Sequence, residues 1–253
     1  MTENQALNPT AGIIIIGNEI LSGRTQDLNL SYIADKLGSH GVKIAEATII
    51  TDEEAVIIKT VLEYSKAYDF VFTTGGIGPT HDDITAASIA KAFSLDLEVN
   101  NTALTMMENQ WGKVKQDDNR TIMAMMPVGA KLIDNPISGS PGFNIENVYV
   151  MAGIPEVMRA MLDCILPSIK HGSPFNSQTV KCYLSESVLA KGLKEIQKSH
   201  LEVEIGSYPF WTKGSFGASI VIRGTNNLEI LKTVKQVCNL IKTLGAEPII
   251  EVA

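Results

Sequence analysis

The sequence predicts an α/β protein, with a domain of parallel β-α-β units followed by a smaller α+β domain. Short runs of apolar and β-branched residues alternate with segments whose apolar residues recur at helical spacing, a pattern typical of a parallel sheet covered by helices. The stretch at residues 171–177 has linker composition, and strand and helix patterns in the order β-α-β-β-α follow it. We therefore place the two domains at residues 11–170 and 177–253.

The bulk composition is that of a globular protein with a buried core. The chain has 253 residues, of which 45% are hydrophobic and 19% are charged. Its net charge of −7 argues against broad binding of nucleic acid, which is not expected as a partner. Three scattered cysteines, the lack of a signal pattern and the lack of an apolar stretch of the roughly 20 residues that a membrane span needs predict a cytoplasmic protein without a membrane partner.

The first two predicted strands each end beside a carboxylate. Residues 11–16 and 42–50 are the strands, and a helix with an apolar stripe follows each of them. Glu19 follows the first strand and Asp52 the second, at the edge where open α/β sheets bind ligands. Glu19 could equally be a loop residue bonded to backbone. Asp52 could instead cap the helix that follows the second strand. Asp27 could cap the helix that follows the first strand.

A glycine-rich turn at residues 75–80 is the most distinctive local feature. A buried strand at residues 69–73 precedes it, and we predict a helix that begins at Asp82 with acidic residues in its first turn. Glycines let a ligand approach the backbone, so free N–H groups and the helix dipole could bind an anion, usually phosphate. A tight connection without a ligand is the alternative, but the Thr and Asp side chains crowded around the turn favour a site.

The remaining elements alternate with further loops of small residues. In the first domain we predict a strand or loop at 95–99, a helix at 100–115, a strand at 130–133, a loop at 137–143, a strand at 148–151 and a helix at 153–166. In the second we predict strands at 179–184, 203–209 and 218–223 and helices at 186–198 and 226–244. The Met-rich residues 123–126 could belong to the core or to the wall of a site. Loops at the carboxyl ends of parallel strands converge on one edge of the sheet.

Five short segments carry a resemblance to a known family. They are Gly-Asn-Glu-Ile-Leu-Ser-Gly at 17–23, Asp-Leu-Asn at 27–29, Thr-Gly-Gly-Ile-Gly-Pro-Thr-His-Asp-Asp-Ile-Thr at 74–85, Ser-Pro-Gly-Phe at 140–143 and Ala-Gly-Ile-Pro at 152–155. Over roughly residues 11–170 the chain resembles the molybdopterin-binding-like domain of the CinA proteins, which also forms the N-terminal half of eukaryotic FAD synthases. The tail, with Ile-Gly-Ser-Tyr-Pro at 205–209, resembles a KH-type domain. The separate amidase domain of the CinA proteins is not expected here.

This resemblance implies a three-layer α/β/α sandwich that binds a nucleotide or pterin through a phosphate. The predicted phosphate- and substrate-binding residues are Gly75, Gly76, Gly78, Pro79, Thr80, Thr85, Asn29, Ser140, Gly142 and Gly153. The predicted ligands of Mg²⁺ or a similar divalent cation are Asp83, Asp82, Asp52 and Glu19, because oxygen ligands suit a hard cation. Asp83 and Asp52 would be the catalytic pair, acting through a cation that activates water.

Three functions remain open at this point. The first is metal-dependent hydrolysis of a nucleotide pyrophosphate such as ADP-ribose or FAD. The second is non-catalytic binding of molybdopterin or a nucleotide, and the third is a part in molybdenum cofactor assembly with molybdopterin as the bound molecule. We expect a divalent cation as cofactor, with molybdopterin as a further candidate. We expect a small nucleotide or pterin as partner, and a homo-oligomer.

Overall fold

The chain divides into two compact units, Met1–Gly172 and Ser173–Ala253, in a computed structural model that describes residues 8–113, 118–212 and 214–251. The first unit is an α/β sandwich, and the second is a small unit built on an antiparallel sheet. Among the helices in these ranges, none has both the length and the apolar character required to cross a membrane.

Eight strands and six α-helices make up the described part of the first unit. The strands are β1 (Thr10–Ile16), β2 (Lys43–Ile50), β3 (Phe70–Thr74), β4 (Leu97–Val99), β5 (Met125–Pro127), β6 (Lys131–Ile133), β7 (Gly142–Ile145) and β8 (Val148–Met151). The helices are α1 (Asn18–Leu21), α2 (Asn29–Ser39), α3 (Glu54–Ala67), α4 (Thr85–Ala92), α5 (Asn101–Trp111) and α6 (Pro155–Ile165). Short 3₁₀ turns span Asn119–Ala124 and Leu166–Ser168.

The main sheet of this unit has six strands in the order β2-β1-β3-β8-β7-β6. The first four are parallel, whereas β7 pairs antiparallel with both β8 and β6. Strands β4 and β5 form a separate antiparallel pair. The carboxyl ends of the four parallel strands therefore lie at one edge, and the glycine turn that follows β3 lies beside the segment that follows β8.

Both faces of this sheet are buried, which makes the unit a three-layer sandwich. Along β1, Ile13 and Ile15 pack in a core with α2 and α6, while Ile14 and Ile16 pack in a second core with α3, α4 and α5. A strand that is buried on both sides reads as a continuous apolar run, because its side chains alternate between two apolar layers. The predicted α/β/α fold class is confirmed.

In the residues described, the second unit places two helices on one face of a four-stranded sheet. Its elements are β9 (Asn176–Cys182), α7 (Glu186–Ser199), β10 (Val203–Thr212), β11 (Ser215–Gly224), α8 (Asn227–Thr243) and β12 (Ile249–Ile250). The strands are antiparallel in the order β10-β11-β9-β12. Alternate residues of β9 and β11, such as Val180, Cys182, Ile220 and Ile222, face the helices in a single core.

The predicted helix start at Asp82 is wrong, because α4 begins at Thr85 and has no acidic residue in its first turn. Backbone bonds of a turn precede the helix: the amide of Asp83 donates to the carbonyl of Thr80 over 3.1 Å, and that of Ile84 to Asp82 over 3.0 Å. The Asp83 carboxylate in turn accepts from the amide of Thr80 at 2.9 Å. Side-chain bonding of this kind stabilises a turn in competition with a helix.

Three smaller expectations can be compared with the structure. The helix predicted at residues 100–115 ends at Trp111, and residues 114–117 lie outside the described part of the chain. Asp27 does not occupy the N-cap position of α2, which is Leu28, but its carboxylate accepts from the amide of Leu30 in the first turn at 2.9 Å. Asp52 does not cap α3, which has no side-chain cap bond. Instead it accepts from the amide of Asn18, the first residue of α1, at 2.8 Å.

Candidate functional site

A cavity of about 480 Å³ lies at the edge where β3 and β8 end. Four segments provide most of its walls, namely the residues that follow β1, the glycine turn after β3, the loop before β7 and the segment after β8. Its lining residues are Glu19, Thr25, Gly75, Gly76, Ile77, Gly78, Pro79, Asp83, Met123, Asn135, Ser138, Ser140, Ala152, Gly153, Ile154, Pro155, Val157 and Met161.

The glycine turn presents backbone N–H groups that the protein itself does not use. The amide of Gly75 is engaged, since it donates to the carbonyl of Met151 over 3.2 Å. The amides of Gly76, Ile77 and Gly78 have no acceptor among the described residues, and all three residues line the cavity. Consecutive free amides at the end of a parallel strand are groups that can donate hydrogen bonds to an anion.

Two of these glycines are required by the backbone and by their neighbours. Gly75 has a φ of +102°, and a Cβ there would lie 2.1 Å from the carbonyl oxygen of Ile16. Gly76 has a φ of +67°, and its Cβ would lie 2.1 Å from the hydroxyl of Thr85. That hydroxyl donates to the carbonyl of Gly75 at 3.0 Å, and the Thr85 amide donates to Gly76 at the same distance. Thr85 is fully buried and supports the turn from behind.

A buried asparagine builds the loop on another wall. Asn135 is only 2% exposed, and its side-chain nitrogen donates to the Ser138 hydroxyl at 2.6 Å and to the Ser140 carbonyl at 2.8 Å. Its side-chain oxygen accepts from the amides of Ile137 and Ser138, each at 3.1 Å. All the hydrogen-bonding capacity of this amide is therefore spent on holding the loop in shape.

A second asparagine fixes the segment that follows β8. The side-chain nitrogen of Asn29, at the start of α2, donates to the carbonyl of Gly153 at 2.8 Å. Gly153 lies against the glycine turn, since a Cβ on it would be 3.3 Å from the Cα of Gly75. Asn29 is 4% exposed and does not line the cavity, so its bond to Gly153 supports the wall from behind. Its side-chain oxygen has no partner among the residues that the structure describes.

The acidic residues of the turn meet at one hydroxyl. The Thr80 hydroxyl lies 2.5 Å from a carboxylate oxygen of Asp82 and 2.5 Å from Oδ2 of Asp83. A hydroxyl carries one hydrogen, so it can donate to only one of these carboxylates at a time. Hydrogen bonding from Thr80, followed by that from its own backbone, lowers the pKa of Asp82. Of the two carboxylates, only Asp83 lines the cavity.

The predicted four-carboxylate cation site is not assembled. The described residues contain no group of three or more His, Cys, Asp or Glu side chains that could hold a metal ion. Glu19 and Asp83 both line the cavity, but Asp52 is bonded to the amide of Asn18 and Asp82 faces Thr80. The donor set that the side chains present therefore does not fit a resident divalent cation.

Comparison with known proteins assigns the first unit to a family. Residues 12–171 match the family described as a probable molybdopterin binding domain, and residues 174–247 match the middle domain of FAD synthase. The chain belongs to the molybdopterin-binding-domain family. A protein of Archaeoglobus fulgidus is 33% identical over 224 residues, which cover 88% of this chain and 94% of the relative. One of Caldivirga maquilingensis is 35% identical over 191 residues, covering 73% and 72%.

A solved structure supports the fold of this molybdopterin-binding domain. The protein CinA with unknown function from Thermoplasma acidophilum superposes with a TM-score of 0.61 at 30% identity, covering 65% of this chain and 100% of that chain. The expected likeness of the first unit to CinA is therefore confirmed. The KH-type likeness of the tail is not shown, because the match there is to the FAD synthase middle domain.

Eight of the predicted site residues line the cavity of the molybdopterin-binding domain. They are Glu19, Gly75, Gly76, Gly78, Pro79, Asp83, Ser140 and Gly153. Six others do not line it, namely Asn29, Asp52, Thr80, Asp82, Thr85 and Gly142. Gly142 lies in β7, where a Cβ would come within 2.3 Å of the carbonyl of Val150 in the neighbouring strand, so its small size serves strand packing.

Several lining residues were not predicted from the sequence, and Asn135 and Ser138 are the most informative of them. The sequence Asn-Pro-Ile-Ser-Gly-Ser at 135–140 contains the usual signals of a side-chain-stabilised turn, so an asparagine with a structural role could have been found there. The Met-rich residues 123–126 turn out to serve both roles. Met123 lines the cavity, whereas Ala124 and Met126 are buried in the core.

Proposed function

We propose that the first unit binds a small pterin or nucleotide through its phosphate at the glycine turn. The observation that supports this most directly is the run of three unpartnered amides, at Gly76, Ile77 and Gly78, on the wall of a 480 Å³ cavity. That volume is typical of pockets for small ligands. Membership of a family described as molybdopterin binding is consistent with the same ligand class.

The charges around the cavity favour a ligand with one phosphate over a ligand with several. None of the described residues that line it is a Lys, Arg or His, and its two charged side chains, Glu19 and Asp83, are acidic. A bound phosphate would be held by backbone dipoles, which carry only partial charges. Each further phosphate on the ligand would add repulsion from the carboxylates without a matching cation.

Calorimetric titration of the whole chain with GMP, AMP and a pterin phosphate tests this proposal. We expect binding by the wild-type chain, and an affinity about tenfold lower for Gly78→Ala, which corresponds to ~1.4 kcal/mol. The reason is that a Cβ on Gly78 would lie 2.6 Å from the carboxylate of Asp83, in the middle of the proposed phosphate site.

Gly129→Ala is the matched control. Gly129 is a positive-φ glycine with open space around it and no place in the cavity, so its replacement should leave ligand binding unchanged. If no phosphate-bearing ligand binds to the wild-type chain at millimolar concentration, the proposal is wrong. Equal affinities for wild type and Gly78→Ala would place the phosphate elsewhere.

Hydrolysis of a nucleotide pyrophosphate is a second candidate, because Glu19 and Asp83 both stand on the walls of the proposed phosphate site. Incubation with ADP-ribose or FAD in the presence of Mg²⁺, Mn²⁺ or Co²⁺, followed by chromatography, would show mononucleotide products if this reaction occurs. Asp83→Asn should then reduce turnover by about a hundredfold or more, as is typical when a group acting on the reacting atoms is removed. Binding without any product would exclude hydrolysis of these two substrates and leave the binding function.

Several earlier expectations remain predictions. They are molybdopterin itself as the ligand, a part in molybdenum cofactor assembly, the KH-type likeness of the second unit, the cytoplasmic location and a homo-oligomer.

A further inference from the structure

The β-hairpin of the second unit extends beyond the rest of its sheet. Strands β10 and β11 remain paired for three residue pairs past Ala218, which is where the pairing of β11 with β9 stops. This projecting part carries Phe210, Trp211 and Phe216, and none of the three is a member of the core cluster of the unit. Trp211 is 72% exposed and Phe216 is 55% exposed. Exposed rings that are grouped in this way, without a place in the core, indicate a binding surface.

The three rings line a cavity of about 480 Å³, which we call the hairpin cavity. Its other walls include the turn before α7 and the first residue of that helix, Glu186. The ring of Phe210 contacts the ring of Tyr183 edge to face, with 5.8 Å between the centroids, and it lies over Gly217, where a Cβ would come within 2.6 Å of it. Glu186 is the only charged residue among the described residues that line this cavity. The hairpin cavity therefore has aromatic walls and a single acid.

The carboxylate of Glu186 is left without a counter-charge. It is only partly exposed, and the described residues offer it neither a hydrogen bond nor an ion pair, whereas Glu195 on the same helix is paired with Lys198 at 2.9 Å. An acid in the first turn interacts favourably with the helix dipole, but that role requires no aromatic neighbours. The faces of aromatic rings carry partial negative charge, so they do not stabilise a carboxylate. The rings and the acid instead attract the same species, which is a cation.

We propose that the hairpin cavity binds an organic cation of the alkylammonium class, such as a trimethylammonium group. The rings and the carboxylate attract its charge, and its methyl groups can bury their apolar surface against the rings. A single-stranded nucleic acid could also stack on exposed rings, but no Lys or Arg lines the described part of the cavity, and Glu186 would repel its phosphates. Among the described residues, the hairpin cavity shares no lining residue with the proposed phosphate site, so this inference does not depend on the proposed function.

Titration of the whole chain with choline, followed through the indole N–H signals in NMR spectra, tests this proposal. The chain has two tryptophans, and Trp111 in α5 of the first unit is an internal reference for Trp211. We expect the Trp211 signal to shift and to saturate at millimolar choline, while the Trp111 signal stays unchanged. The compound 3,3-dimethylbutan-1-ol has the shape of choline without its charge, so it should bind at least about fivefold more weakly. Trp211→Phe assigns the two signals.

Two variants separate the contributions of the acid and of the rings. Glu186→Gln keeps the shape of the side chain and removes its charge, so we expect the affinity for choline to fall about fivefold or more and that for the uncharged analogue to stay within about twofold. Glu247→Gln removes the same charge from an exposed position that does not line the cavity, and it should bind choline as the wild type does. Trp211→Ala should weaken choline binding, measured by calorimetry, at least about tenfold. Thermal unfolding monitors the fold of each variant.

Each contrary outcome overturns the proposal. If the Trp211 signal does not respond to choline at tens of millimolar, the hairpin cavity does not bind this class of cation. If the uncharged analogue binds as tightly as choline, the cavity does not select for charge. If Glu186→Gln lowers the unfolding temperature but binds choline as the wild type does, the acid serves only the helix dipole. None of these results bears on the phosphate site, because choline carries no phosphate.

Discussion

Replacing Gly75 with alanine is expected to lower the free energy of unfolding of the first unit by about 3 kcal/mol, from a strained backbone conformation and from overpacking. The φ of +102° at this position is unfavourable for any residue with a Cβ, and that Cβ would lie 2.1 Å from the carbonyl oxygen of Ile16. The atom it meets belongs to the backbone of a central strand, so a side-chain rotation cannot relieve the clash. Urea denaturation of the variant and the wild type, followed by circular dichroism, measures the difference.

Gly23→Ala provides the control for backbone strain alone. Gly23 also has a positive φ, of +73°, but a Cβ there would meet no atom within 4 Å. Its replacement should therefore cost only the conformational term, about 1 kcal/mol. If the two variants lose the same stability, the contact with Ile16 does not restrict Gly75, and the close approach of β1 to the glycine turn has been overestimated.

The glycine turn was the part of the site most open to prediction from sequence. Gly75 and Gly76 are required by their positive φ and by a neighbouring atom, so a glycine at these two positions reflects the local backbone geometry. The first residue of α4 could not be predicted from the sequence in this way. Asp82 and Asp83 suit a first helical turn, but the Asp83 side chain is already used by the amide of Thr80, and this bond between residues close in sequence outweighs the helical preference.

The predicted cation site failed for a different reason. Carboxylates at strand ends do reach the same edge of a parallel sheet, as Glu19 and Asp83 show by lining one cavity. Whether such carboxylates form a cation site depends on the hydrogen bonds that each of them already accepts within the protein. Asp52 accepts from the amide of Asn18, a residue 34 positions away in sequence, and no local pattern predicts that contact.

The glycine turn could bind an anion without basic side chains, because its hydrogen-bond donors are backbone amides. A side chain that lines a site can be recognised from its chemistry in the sequence, whereas a free backbone amide becomes available only through the fold. Here the amide of Gly75 is used by Met151, and the next three amides are left open. Residues that shape the other walls of the cavity are therefore expected to affect binding even when they carry no charge, and Asn135 is the clearest of these.

Replacing Asn135 with alanine is expected to lower the free energy of unfolding by about 2–3 kcal/mol, because it leaves several polar groups without partners in a buried turn. The lost bonds are those to the Ser138 hydroxyl, the Ser140 carbonyl and the amides of Ile137 and Ser138. Since Ser138 and Ser140 line the cavity, the affinity for GMP should also fall at least about tenfold. Urea denaturation and calorimetric titration measure the two effects on the same sample.

Asn144→Ala is the control for Asn135→Ala. It removes an asparagine whose side chain is also hydrogen-bonded but does not hold the loop before β7 in shape. The side chain of Asn144 in β7 also donates to two carbonyls, those of Glu146 and Val148, each at 3.0 Å, but it does not line the cavity. Its removal should cost about 1 kcal/mol and leave GMP binding unchanged. An Asn135→Ala variant that loses stability but binds GMP with wild-type affinity would show that the loop before β7 plays no part in ligand recognition. The residues after β1, the glycine turn and the segment after β8 would then remain as the walls that matter for binding.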